Sequence, residues 1–192
     1  MAPHSSLLFG PCSLSFIDIS RAYFNARTTD SDPVYVDLLG EDTDRAEGLC
    51  GRLNVHMYGT RRAADGWHCE YADTMEAMGF KRGLSSACVF RHPVKHLVCS
   101  VHGDDFTILG WEKELDWFWK EIKERFESKH RGRLGPSEGD KKEIRILNRI
   151  IEWNQEGVWY EADQRHAEII VRELALEGNR VRSEVPGEKV TY

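Results

Sequence analysis

The chain has 192 residues, 41% of them hydrophobic, and a formal net charge of −6 at pH 7. That is enough for one domain with a sizeable core, or one core with a small attached subdomain. The acidic balance excludes a basic nucleic-acid binder by composition, and no apolar run approaches the roughly 20 residues of a membrane span.

Met1 to Pro11 has no basic region before Leu7-Leu8-Phe9, so it makes a poor signal peptide. The first predicted strand is Leu14 to Ile19 (LSFIDI), with Asp18 near its end and apolar residues on both sides. A second covers Pro33 to Leu38, its proline at the position where no ladder donor is lost. Leu39 to Gly51 reads as an acidic loop.

A helix is expected over Arg61 to Met78. Ala64, Trp67, Tyr71, Met75 and Met78 recur on one face, and Gly79 is the stop. Ala87 to His92 reads as a strand, Pro93-Val94-Lys95 as a turn, and Leu97 to Val101 and Phe106 to Leu109 as the strands of a hairpin. The next helix covers Glu112 to Ser128, with a stripe of Leu115, Trp119, Ile122 and Phe126 and a Glu121–Arg125 ion-pair spacing. Arg131 to Lys142, rich in glycine and charge, reads as a loop. Ile144 to Trp153 reads as one strand, joined through Asn154 to Gly157 to Val158-Trp159-Tyr160. A last helix covers Asp163 to Leu176, stops at Gly178, and leads into an extended tail from Asn179.

No internal repeat or low-complexity tract occurs. The order of elements suits an α+β fold, an antiparallel sheet with helices on one face. Cys12, Cys50, Cys69, Cys88 and Cys99 are an odd number without C-x-x-C spacing, so they read as reduced intracellular thiols in a protein that is not secreted. His92, His96, Cys99 and His102 invite a zinc reading, but a period-2 strand does not converge all four. Arg61-Arg62 and the run Lys120 to Arg133 are the best candidates for a local basic groove. The run reads mainly as a solvated helix face followed by a loop.

The most informative segment is Val101-His102-Gly103-Asp104-Asp105-Phe106. Two carboxylates at a hairpin tip repel each other and are costly unless solvated or neutralised by a cation. In a split βαβ arrangement the end of the first strand lies beside the central hairpin, so Asp18 is expected to join Asp104 and Asp105. Three acids at one point suit a two-metal site, and nucleotidyl transfer uses such sites.

Phe16 to Asn25 (FIDISRAYFN) resembles the first catalytic motif of reverse transcriptases. Leu53 to Trp67 (LNVHMYGTRRAADGW) is similar to the second motif in its copia-type form, L-x-x-A-L-Y-G-L-K-Q-A-x-R-x-W. Val101 to Asp105 falls where that family has a Y-V-D-D hairpin, and Ile144 to Tyr160 resembles its downstream strand pair. The chain is thus similar, over about Leu14 to Pro186, to the RNA-dependent DNA polymerase domain of a copia-type LTR retrotransposon.

The resemblance implies a polymerase palm over 14–27 and 59–161, partial fingers over 28–58, and the start of a thumb or connection over 162–192, in a single domain fragment. It implies that Asp18, Asp104 and Asp105 bind two Mg²⁺ or Mn²⁺ ions, with the Ile19 carbonyl as a further ligand. Tyr23 falls at the steric gate that excludes a 2′-hydroxyl, and Ala22 leaves room for the sugar. Implied partners are an RNA or DNA template-primer and deoxynucleoside triphosphates, with no membrane; the setting would be a cytoplasmic particle or the nucleus. Oligomeric state is not legible.

The chain departs from the pattern at several places. Arg62 replaces the glutamine of the second motif; a guanidinium suits phosphate oxygens but accepts no hydrogen bond. Asp65 reverses the charge of the motif's arginine, and His102-Gly103 replaces Tyr-Val, a change expected to loosen the turn. Only 17 residues precede Asp18, none of them Lys or Arg, and the chain ends before a full thumb or ribonuclease H domain. A truncated, inactive retroelement remnant with at most weak nucleic-acid or protein binding is therefore a second reading. Another palm-type nucleotidyl transferase, such as a cyclase, is a third, but it leaves Tyr58-Gly59 and Trp67 unexplained.

Overall fold

A computed structural model describes residues 12–161, 164–174 and 176. The leader segment Met1–Pro11, the helix start at Asp163, the stop at Gly178 and the tail from Asn179 lie outside the described residues. The chain divides into two compact units, Met1–Lys142 and Glu143–Tyr192.

The first unit is built on strands β1 (Cys12–Ile19), β4 (Lys81–Arg82), β5 (Val89–His92), β6 (Leu97–His102), β7 (Asp105–Trp111) and β8 (Ser128–Leu134). They form one antiparallel sheet in the order β4-β5-β6-β7-β1-β8. A separate two-stranded ribbon joins β2 (Tyr35–Asp37) to β3 (Cys50–Arg52). Three helices complete the unit: α1 (Thr43–Ala46), α2 (Ala63–Ala77) and α3 (Glu112–Arg125). The mixed α+β class with a large antiparallel sheet is as the element order predicts.

The register sorts the sheet into two faces. Ile17, Phe106 and Val101 form one cross-strand row; Ser15, Ile108 and Cys99 form the next. All six are buried; the five other than Ser15 share one core cluster with Trp67, Tyr71, Ala72 and Met75 of α2 and Leu115, Phe118 and Ile122 of α3. Aromatic edges join these layers: Trp67 lies 5.2 Å from Phe126 and 5.5 Å from Tyr71, and Phe80 lies 5.5 Å from Phe118, centroid to centroid. The alternate rows, Asp18–Asp105–His102 and Leu14–Leu109–Val98, point to the opposite face, where His102, Leu109 and Val98 are exposed.

Helix α2 ends where its glycine requires. Gly79 has φ +92°, its N–H reaches the Glu76 carbonyl, and Phe80 N–H reaches Met75, which is the Schellman pattern with Phe80 buried beneath it. The buried alanines are Ala63 and Ala72, while Ala64, expected on the inner face, is exposed. In α3 the inner stripe runs through Phe118, with Trp119 only partly buried. Arg125 pairs with Glu70 of α2 instead of Glu121, and the i,i+4 pair of α3 is Lys120–Glu124. The helix stops at Arg125 because Phe126 turns extended and enters the core.

Three further expectations change. The acidic loop contains α1, whose first turn is capped by the Asp42 carboxylate accepting from Asp44 N–H, and then β3. The predicted loop Arg131 to Lys142 begins as strand: β8 takes the free edge of β1, so pairing overrides its loop-like composition. The single strand over Ile144 to Trp153 is two, β9 (Glu143–Ile146) and β10 (Arg149–Asn154). Leu147 and Asn148, both at positive φ (+49° and +61°), turn the chain between them as in a type I′ hairpin.

The second unit continues with β11 (Gly157–Tyr160), giving a sheet in the order β11-β10-β9, and α4 (Gln164–Glu173). Ile144 and Ile146 are buried; Trp159 and Tyr160 are exposed. Among the described residues, no helix is long and apolar enough to cross a membrane. The cysteines are free; Cys50 and Cys69 are exposed, while Cys99 is fully buried and burial pushes its thiol far up.

Phe118 has no solvent exposure and closes the contact between α3 and the sheet. Truncation to alanine should cost about 3–5 kcal/mol. Urea unfolding of Phe118→Ala checks this as a lowered midpoint at unchanged slope.

Candidate active site

The acidic site starts with a tight hairpin. His102 and Asp105 pair across β6 and β7, which leaves Gly103 and Asp104 as a two-residue loop. Gly103 has φ +61° and Asp104 does not share the positive value, the pattern of a type II′ turn, which asks for glycine at its first loop position. Gly103 therefore fits the turn; the expected loosening gives way to a backbone conformation that valine would resist. Both carbonyls of the tip are held. Trp67 Nε1 donates to Gly103 O at 2.8 Å, and Ile19 N donates to Asp104 O at 2.9 Å. The buried tryptophan of α2 and the end of β1 thus fix the tip from two sides.

Asp18 and Asp105 are direct register partners across β1 and β7, so both side chains leave the sheet on the same face. Their side chains are only 18% and 17% exposed. Between them lies Arg131, whose Nη2 donates to Asp18 Oδ1 at 2.8 Å and whose Nε is 3.8 Å from Asp105 Oδ1. Arg131 reaches this place through a bulge. Ile17 pairs with His130 and Phe16 with Gly132, so Arg131 is the extra residue of β8. Burial pushes the Asp105 carboxyl up, Asp104 and Asp18 add to the rise, and Arg131 and His102 oppose it. The Arg131 guanidinium is raised in turn, chiefly by its hydrogen bond to Asp18.

Asp104 sits at the tip, where its charge acts on both Asp105 and Tyr58. Among the described residues, no three His, Cys, Asp or Glu side chains converge closely enough to hold a metal ion. The chemistry present is a pair of hard oxygen donors with one cation between them, and a third carboxylate beside the pair.

Beyond β1 the chain turns through Arg21, at φ +54°, into a 3₁₀ turn, Ala22–Asn25. The Arg21 guanidinium pairs with Glu127. Ala22 is buried, and the half-buried Tyr23 packs its ring on Tyr58 with centroids 4.4 Å apart; Phe24 meets Tyr58 edge-on at 5.8 Å. Partial burial pushes the Tyr58 phenol up, and the charges of Asp104 and Asp18 add to the rise. Ile19 has its side chain in the core and its N–H on the Asp104 carbonyl. Arg62 is not brought to the carboxylates by any hydrogen bond or ion pair. Its Nε lies 2.8 Å from Asp32 Oδ2, on the wall of a cavity of about 760 Å³ that Asp65, His56 and Arg27 also line.

The profile of the family described as reverse transcriptase (RNA-dependent DNA polymerase) matches residues 12–138. The chain belongs to the reverse transcriptase family. The match opens on the first residue of β1 and closes after β8, so it encloses Asp18, Tyr23, Trp67, the Asp104–Asp105 hairpin and Arg131. RNA-directed DNA polymerisation is the activity of that family. No curated protein matches the chain.

Three contributors to this acidic site escape sequence reasoning. Trp67 was visible as a motif residue, but not its bond to the hairpin. Tyr58 was visible in the Tyr-Gly pair, but not its ring contact with Tyr23. Arg131 was visible only as a member of the basic run Lys120 to Arg133, read mainly as a solvated helix face and loop, and not as a partner of the acids. Trp67→Phe keeps the aromatic packing and removes the donor to the Gly103 carbonyl. It should cost about 1–3 kcal/mol. Urea unfolding checks the loss, and faster amide exchange at the hairpin tip checks its location.

Proposed function

We propose that this chain is the catalytic part of a copia-type retrotransposon RNA-directed DNA polymerase, adding deoxynucleotides to a primer 3′-hydroxyl on a nucleic-acid template. The observation that carries the reading is the direct pairing of Asp18 with Asp105 beside a hairpin tip held by Trp67 and Ile19. In this reading 14–27 and 59–161 form the palm, 28–58 part of the fingers, and 162–192 the start of a thumb or connection.

The donor set suits a hard divalent cation: oxygen-only ligands on rigid strands, at a place whose negative charge already draws a cationic group, Arg131. Asp18 and Asp105 would hold the ions, Asp104 would lend charge from the tip, and the Ile19 carbonyl would complete the oxygen set. When bound, two Mg²⁺ or Mn²⁺ ions activate the primer hydroxyl and neutralise the leaving pyrophosphate.

The remaining work falls to the chain's own groups. Tyr23 presents a ring to the sugar, and a 2′-hydroxyl has no space against it. Tyr58, tilted against that ring, keeps it from turning aside. Ala22, small and buried, leaves the sugar its place. Arg62 keeps Nε on Asp32 and offers a phosphate its remaining guanidinium donors.

Primer extension on an RNA template with Mg²⁺ or Mn²⁺ tests the reading. Asp18→Asn, Asp104→Asn and Asp105→Asn should each lower extension by at least roughly 10²–10³-fold, the usual cost of losing one preorganised electrostatic contact. Extension that survives Asp104→Asn at the parental rate removes that residue from the site. Tyr23→Ala should leave deoxynucleotide use in place and raise ribonucleotide incorporation relative to it, read as a ratio of the two kcat/KM values.

A further inference from the structure

We propose that Arg131 is a removable internal counter-ion of the acidic site, so that its guanidinium and a divalent cation occupy the Asp18–Asp105 pair in alternation. The inference rests on the metal-binding role given to these carboxylates above, and extends it to a residue outside every motif.

The geometry separates a fixed partner from a mobile one. Asp18 and Asp105 stand on paired central strands with most of each side chain out of solvent. The Arg131 side chain is 45% exposed and reaches the pair from the bulge of β8. Its backbone is anchored separately: Lys141 Nζ donates to the Arg131 carbonyl at 2.8 Å, and Lys141 N–H donates to the Arg133 carbonyl at 2.8 Å. The guanidinium can therefore swing into solvent without disturbing the ladder between β8 and β1.

Charge explains why the contact exists and why it yields. Two partly buried carboxylates side by side need a cation. One guanidinium supplies a single positive charge and engages the two acids unequally, at 2.8 and 3.8 Å. A divalent ion carries twice the charge in a smaller volume and binds carboxylate oxygens directly. The two cations compete for the same oxygens, so Arg131 weakens metal binding by the strength of its own charge-assisted bond, about 10–100-fold. Without metal it holds the acids in register.

The test is a titration of Mn²⁺ alone into the full chain, read by electron paramagnetic resonance, alongside thermal unfolding in chelator. Arg131→Met should bind Mn²⁺ about tenfold more tightly or better than the parent. In chelator it should melt below the parent, and Mn²⁺ should raise its melting temperature more. Arg131→Lys keeps a positive charge without the fork and should fall between the two, which serves if Arg131→Met does not fold. Asp18→Asn added to Arg131→Met should remove the gain. Equal or weaker Mn²⁺ binding by Arg131→Met and Arg131→Lys overturns the exchange and leaves the metal site standing. No Mn²⁺ binding by any folded variant overturns both.

Discussion

Asp18 and Asp105 stand opposite one another in the β1–β7 register, each mostly withdrawn from water. Two negative charges so placed repel; burial pushes the Asp105 carboxyl up, and the charges of Asp104 and Asp18 add to the rise. The arrangement persists because other forces determine it. Behind the acids, Ile17 and Phe106 bury their side chains against α2 and α3, and moving either strand would expose them. In front, Arg131 supplies an opposite charge. Strain held in place by a well-packed surrounding is a mark of functional sites.

Period-2 alternation makes this coupling rigid. One row of β1 and β7 is core and the next is acid, so a slip of one residue would turn Asp18 inward and Ile17 outward. The hairpin between β6 and β7 then needs fixing only at its end. Trp67 does this with the one polar atom of its ring, while the rest packs against Tyr71 and Phe126. The same side chain therefore serves the core and the site. A tryptophan is suited to this, since its large apolar surface and single N–H donor face different partners.

Much of this was legible in sequence, and the reasons are local. Leu14 to Ile19, the strands about Asp104–Asp105, and the cores of α2 and α3 carry patterns set by their own periods. Gly79 announces its Schellman turn because few residues other than glycine take that φ readily. What escaped depends on distant partners. β8 is charged and contains Gly132, and becomes strand only because β1 offers a free edge. Leu147-Asn148 turns a hairpin although Leu147 reads as part of an apolar run. At the site, the meeting of Asp18 with the hairpin strand that begins at Asp105 was legible from the order of the strands. Arg131, Tyr58 and the Trp67 bond are relations between residues far apart in the chain, and no spacing rule reaches them.

The departures from the copia-type pattern do not fall evenly over the molecule. Arg62 and Asp65 lie on one cavity, where Asp32 has taken the Arg62 guanidinium and Arg125 is paired with Glu70. None of Asp18, Asp104 or Asp105 lines that cavity. The changed charge of Arg62 is thus matched in its own surroundings, where Asp32 balances it without drawing on the acidic face. His102-Gly103, by contrast, lies on that face, and there the change agrees with the backbone: glycine meets the positive φ of the turn, and histidine shares a row with Asp105 and opposes the rise of its carboxyl. Substitution at the cavity alters what can be gripped there, whereas substitution at the hairpin leaves the carboxylates on the same strands, in the same register, facing the same way.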